Sequence, residues 1–153
     1  MISLGAPTWD ALCRHAQETF PEECCGAILT SASGDEVRRI ANIQNVMHAK
    51  DPQTYPRDAT IAYVMEPKAL LAVLKEADNG NATIKAFYHS HPNHDAYFSA
   101  EDKRQAMFGD EPSYPDAVYL VISIYNREVK AIRAYAWDDT VKDFVETELR
   151  TSA

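Results

Sequence analysis

Apolar residues near the start of the chain fall at helical spacing. Trp9, Leu12, Cys13, Ala16 and Phe20 share one face, Thr8 can cap the first turn, and Pro21 stops the continuation. Residues 24–30 then form a short apolar run carrying Gly26, followed by the turn cluster Ser31-Ala32-Ser33-Gly34-Asp35 and a second apolar run over residues 37–46. This predicts a helix, a strand, a tight turn and a second strand. Residues 47–58, with Pro52 and Pro56 among polar groups, read as a loop, and residues 60–65 as a third strand. Pro67 suits a first helical position, Leu70, Leu71, Leu74 and Ala77 make an apolar stripe, and Asn79-Gly80 closes that helix.

Residues 83–88 read as a strand that runs into a polar segment, 89–98, after which residues 99–108 have helical character. A Pro-rich, acidic loop over 109–115 leads to a strand at 117–124, a turn at Asn126-Arg127-Glu128 and a strand at 129–137. Residues 141–149 alternate loosely, as an edge strand does. The order αβββαβαβββ, without repeat, low-complexity tract or linker, predicts one α+β domain over residues 1–153. Its expected form is a curved, mixed sheet flanked by helices.

Composition narrows the function. With 46% hydrophobic and 25% charged residues, 153 residues suffice for a core that buries about two-thirds of the unfolded surface. The formal charge of −8 and the lack of a basic run argue against nucleic acid and anionic membrane as partners. No run approaches the ~18 apolar residues of a membrane span, and the first residues lack the pattern of a secretion signal. The three cysteines, Cys13, Cys24 and Cys25, are odd in number and show no C-x-x-C spacing, so free thiols in a reducing, cytoplasmic setting are expected.

Residues 89–102 read His-Ser-His-Pro-Asn-His-Asp-Ala-Tyr-Phe-Ser-Ala-Glu-Asp. Positions i and i+2 of a strand project to one side, so His89 and His91 can converge on a point. Zinc takes imidazole nitrogen and carboxylate oxygen at about 2.0–2.2 Å, and a catalytic site keeps one position for water. Two imidazoles and one carboxylate leave that position open. The ion can bring the pKa of water down to roughly 7, and a nearby carboxylate must then carry the proton to the leaving amine.

The spacing resembles the JAMM, or MPN-plus, metalloprotease signature. His89-Ser90-His91-Pro92 is followed, after residues 92–98, by Ser99, two residues and Asp102. Upstream, Glu23 stands three residues before Gly26, which opens an apolar strand. The resemblance implies His89, His91 and Asp102 as ligands of one zinc ion per chain. It further implies Glu23 as general base and acid, Ser99 as a donor to the tetrahedral oxyanion, and an MPN-like (cytidine-deaminase-like) fold. Such enzymes cleave peptide or isopeptide bonds after the C-terminal tail of ubiquitin or a ubiquitin-like protein, usually ending Gly-Gly, and the tail can bind as an added strand. The compact length is similar to the prokaryotic branch, some of whose members act on sulfur-carrier proteins, and the loops at 47–58 and 109–116 are short. A ubiquitin-like or sulfur-carrier tail is therefore the expected partner, and a homodimer is compatible with the sequence.

Each group also has a plainer reading. Ser99 with Asp102 fits the capping pattern S-x-x-[DE], a histidine pair in a loop is usually solvated, and Glu23 alone is an ordinary surface carboxylate. His94 lies near the ligands but outside the pattern, Cys24 and Cys25 suit core packing, and Tyr88, Tyr97, Phe98 and Tyr114 suit packing or a tail groove. A non-catalytic MPN scaffold and a metallopeptidase acting on unrelated short peptides are the rival expectations. A nucleoside deaminase is excluded because H-x-E and P-C-x-x-C are absent.

Overall fold

The computed structural model describes residues 1–152. In chain order the elements are β1 (Ile2–Gly5), α1 (Ala6–Thr19), β2 (Cys25–Ser31), β3 (Gly34–Ile40), α2 (Gln44–Lys50), α3 (Pro67–Asp78), β4 (Thr83–Pro92), α4 (Ala100–Gln105), β5 (Met107–Phe108), β6 (Glu111–Pro112), β7 (Val118–Tyr125), β8 (Glu128–Asp138), β9 (Asp143–Thr147) and β10 (Leu149–Ser152). Six strands form one sheet in the order β3-β2-β4-β7-β8-β9. Within it β4 and β7 pair parallel and every other neighbour antiparallel.

Helices cover both faces, the α+β arrangement predicted. On one face Leu12 and Ala16 of α1 pack on Cys24, Ile28, Tyr88, Leu120 and Ile122. On the other, Val73 of α3 and Ala106 after α4 meet Cys25, Leu29, Phe87, Phe98 and Tyr119. Because β4 is central, alternation along it sends Tyr88 and Ser90 to the α1 face and Phe87, His89 and His91 to the other. All five are buried.

Several boundaries differ from the sequence reading. The first helix is capped at Gly5 with Pro7 in its first turn, so Thr8 lies inside the helix, buried. Strands β1 and β10 pair parallel outside the main sheet and were not anticipated. At four residues each, they are too short for an alternation pattern to stand out. The run at 37–46 is divided: β3 ends at Ile40, and residues read partly as loop form α2. Asn42 causes the break, its Oδ1 accepting the backbone N–H of Gln44 at 3.0 Å and of Val64 at 3.1 Å.

The predicted strand at 60–65 does not form a ladder, and only Asn42 and Met65 bridge. Several of its backbone groups are taken by side chains, Ala62 O accepting from Asn42 Nδ2 and Tyr63 O from Gln105 Nε2. The fourth helix ends at Gln105, before the small β5–β6 hairpin. Among the described residues no helix is long and apolar enough to cross a membrane.

Candidate metal centre

Strand β4 continues through His89 and His91, placing both imidazoles at its carboxyl end beside β7. The third group comes from α4. Ser99 is the N-cap, and its Oγ accepts the Asp102 N–H at 3.0 Å while Asp102 Oδ2 accepts the Ser99 N–H at 3.0 Å. This reciprocal capping box fixes the carboxylate against the start of a six-residue helix. The same Oδ2 lies 3.1 Å from His89 Nε2 and 3.1 Å from His91 Nε2, and the two nitrogens are 3.1 Å apart.

Three donor atoms at equal separation match one face of a tetrahedron, whose edge is about 3.3 Å for bonds of about 2.0 Å. The donor set therefore fits a zinc-sized divalent ion. His91 supports the same conclusion: its Nδ1–H donates to the Asp95 carbonyl at 2.9 Å, which leaves the Nε2 lone pair facing the other two donors. Lone pairs on neutral imidazoles and a carboxylate at this range repel unless a cation or a proton lies between them. Burial alone would raise the Asp102 carboxyl, but the charges and hydrogen bonds of His89 and His91 prevail and hold it well below the usual carboxylate range.

The surrounding shell locks these rings. Tyr63 stacks on His89 with centroids 4.6 Å apart, and Tyr97 meets His91 edge-on at 5.2 Å. Ser123 donates to the His94 carbonyl at 2.6 Å, and Tyr135 to the Ala96 carbonyl at 2.6 Å, so the loop between His91 and Asp102 is pinned from β7 and β8. His94 turns its own Nδ1–H back to the Pro92 carbonyl and lines the cavity without joining the donor triangle.

Glu23 is buried, at 6% exposure, and lines the same cavity of about 310 Å³ as His91, Ser99 and Asp102. Its backbone is held on both sides, its N–H by the Ala59 carbonyl at 2.7 Å and its carbonyl by Asn42 Nδ2 at 2.9 Å. Burial, reinforced by the Asp102 charge, raises its carboxyl well above the ordinary value, and Arg57 partly opposes the shift. A carboxyl whose proton affinity is raised in this way is better suited to take up and return a proton than an ordinary surface carboxylate.

Three residues after Glu23, position 26 has no room for a side chain. A Cβ there would meet the Arg38 carbonyl and lie 2.5 Å from Tyr88 Oη. The Tyr88 ring fills the place of a side chain and hydrogen-bonds His15 Nδ1 at 2.6 Å. Beneath the site, Ser90 and Cys24 join β2 to β4: Cys24 N–H donates to Ser90 Oγ at 2.8 Å and Ser90 N–H to the Cys24 carbonyl at 3.1 Å. The cysteines are free, and burial pushes the Cys24 thiol up to about 12, which makes it inert packing.

All five predicted site residues line or border one place: His91, Asp102, Glu23 and Ser99 face the cavity and His89 lies behind it. The sequence reading missed Asn42, Tyr63 and Arg57. Only Asn42 left a trace, as a polar residue interrupting an apolar run.

A family model described as "Prokaryotic homologs of the JAB domain" matches residues 5–138. A desampylase of Haloferax volcanii is 29% identical over 126 residues, covering 80% of each chain. A CysO-cysteine peptidase of Mycobacterium tuberculosis is 25% identical over 135 residues, covering 88% of this chain and 82% of the relative. Among solved structures, a Desulfitobacterium hafniense protein superposes with a TM-score of 0.72 at 22% identity over 99% of this chain and 93% of its own. A JAB1/MPN domain protein of Archaeoglobus fulgidus gives 0.55 at 14% identity, over 99% and 97%. These two likenesses establish the fold.

Proposed function

We propose that this chain, which belongs to the family of prokaryotic homologs of the JAB domain, is a zinc-dependent peptidase or isopeptidase acting after the Gly-Gly tail of a ubiquitin-like or sulfur-carrier protein. The observation that carries the reading is the equal-sided triangle of His89 Nε2, His91 Nε2 and Asp102 Oδ2 opening on a cavity that also holds a buried glutamate. The relatives named desampylase and CysO-cysteine peptidase support the substrate class.

His89, His91 and Asp102 would hold the ion, which when bound supplies a Lewis acid that acidifies water and polarises the scissile carbonyl. Glu23 takes the proton from the attacking water and delivers it to the departing nitrogen. Its raised proton affinity suits it to hold that proton between the two steps. Ser99 Oγ accepts the Asp102 N–H through a lone pair, so its own proton remains to be donated to the carbonyl oxygen as negative charge develops there. Tyr63 and the Asp95 carbonyl keep the imidazoles in place. Free cysteines accord with a reducing, cytoplasmic setting.

The test has two readouts. Metal analysis of protein purified without added zinc should give one zinc per chain for the wild type and for Glu23→Gln, and none for His89→Ala or Asp102→Ala. A Gly-Gly-tailed ubiquitin-like fusion should be cleaved by the wild type and by none of the variants. Turnover by Glu23→Gln at the wild-type rate sinks the assigned base. Cleavage of an unrelated short peptide in place of the fusion sinks the substrate class.

A further inference from the structure

Beside the metal-centre cavity lies a second one of about 470 Å³, within the roughly 300–1,000 Å³ range of small-ligand pockets. The two share Arg57, Ala62, Glu101 and Gln105. The proposed mechanism gives no task to this neighbouring space or to the arginine at its junction with the site.

The charges there are unevenly satisfied. Arg104 grips Glu101 through both Nε, at 3.0 Å, and Nη2, at 2.5 Å. Asp102 is taken by the two histidines. Among the described residues, Arg57 is the one arginine lining these cavities that makes no ion pair. Its root is nevertheless fixed: buried Gln44 donates to the Arg57 carbonyl at 2.8 Å, and Asn45 Oδ1 accepts the Ala59 N–H at 2.8 Å. A guanidinium on a pinned backbone, exposed beside a reaction centre, presents a planar fork of donors matched to a carboxylate.

We propose that Arg57 recognises a carboxylate carried by the substrate close to the scissile bond, and so sets specificity for the reaction. This rests on the proposed peptidase activity. Two sources offer the group: the free α-carboxylate of a leaving amino acid or short peptide, or an acidic side chain within the tail. Arg57 binds and orients; it exchanges no proton.

Three peptides ending Gly-Gly-Ala separate the sources: one with a free C-terminal carboxylate, one with a C-terminal amide, and one amidated peptide carrying a glutamate before the two glycines. With zinc-loaded enzyme, Arg57→Ala should lower kcat/KM about 10- to 100-fold on a carboxylate-bearing peptide, the loss expected for a charge-assisted hydrogen bond. It should leave the carboxylate-free amide unchanged. The peptide that responds identifies the source. An equal fall on all three peptides, or none on any, overturns the proposal, the first outcome placing Arg57 as a positioning residue for Glu23.

Binding of the same peptides to Glu23→Gln, with and without Arg57→Ala, gives a readout free of turnover. A preference for the carboxylate form that vanishes with Arg57 supports the inference even if nothing is cleaved, in which case the peptidase reading alone falls. Equal binding of all forms to both proteins overturns the inference and leaves the peptidase reading intact.

Discussion

Substituting alanine for Gly26 tests whether the strand bearing His89 and His91 is seated by what lies on its opposite face. The added methyl would lie 2.5 Å from Tyr88 Oη and 2.6 Å from Tyr88 Cε1, and against the Arg38 carbonyl. Neither neighbour can give way freely. Tyr88 is 1% exposed and bonded to His15, and the Arg38 carbonyl belongs to the backbone of β3, paired along its length with β2. Overpacking of this kind costs about 1–3 kcal/mol, and displacing the ring forfeits a buried hydrogen bond of about 0.5–1.5 kcal/mol. The sum, about 1.5–4.5 kcal/mol, corresponds to a fall in Tm of about 3–18 °C for a chain of this size.

Thermal unfolding of metal-free protein, followed by circular dichroism, reads the effect without the ion's own contribution. Zinc affinity should fall in the same variant, because Tyr88 directly precedes His89 on β4. Combining Gly26→Ala with Tyr88→Phe should destabilise by less than the sum of the single changes, since one clashing atom is gone. A Tm within about 2 °C of the wild type for Gly26→Ala refutes the packing account, because that shift is worth less than about 1 kcal/mol.

Ser99→Ala removes a helix cap and a proposed proton donor together: stability should fall by about 0.5–2 kcal/mol and kcat by about 10²–10³-fold, read by denaturant titration and by cleavage kinetics. If kcat is unchanged once the protein is folded, Ser99 serves the helix alone. His15 is buried, and burial first, then the charge of Arg39, lowers its pKa from 6.5 to about 4. Between these values the unfolded chain binds more protons than the folded one, so the stability His15 contributes is complete above pH 6.5 and is lost as pH falls through that window. His15→Gln, which can still accept from Tyr88, should flatten this part of the stability profile relative to the wild type. Parallel profiles would exclude His15 as the source.

The grouping of the candidate ligands was legible because a metal-binding pattern restricts residue type and spacing more tightly than packing does. His89, His91 and Asp102 stand within one short stretch, and Glu23 stands three residues before a glycine that the ring of Tyr88 requires. Long, strongly periodic elements such as α3 were equally plain. What the pattern hid is set by distant partners. Asn42 spends its amide on the backbones of three separate segments, and so converts two apparent strands into a strand, a helix and an irregular span. Nothing near Tyr63 marks it as the ring that stacks on His89, and Arg57 becomes conspicuous only once Glu101 is seen to be held by Arg104. Strands β1 and β10 lie at opposite ends of the chain, and a local window cannot connect them.

Asp102 belongs at once to the donor triangle and to the first turn of a helix only six residues long. A helix so short has little intrinsic tendency to persist, so fraying of that turn and opening of the donor triangle are a single event. On the proposed reading, cation capture would therefore also be a local ordering reaction. Its affinity for zinc would then include the work of assembling one turn of backbone, and amide hydrogens there would exchange more slowly with zinc added than without it.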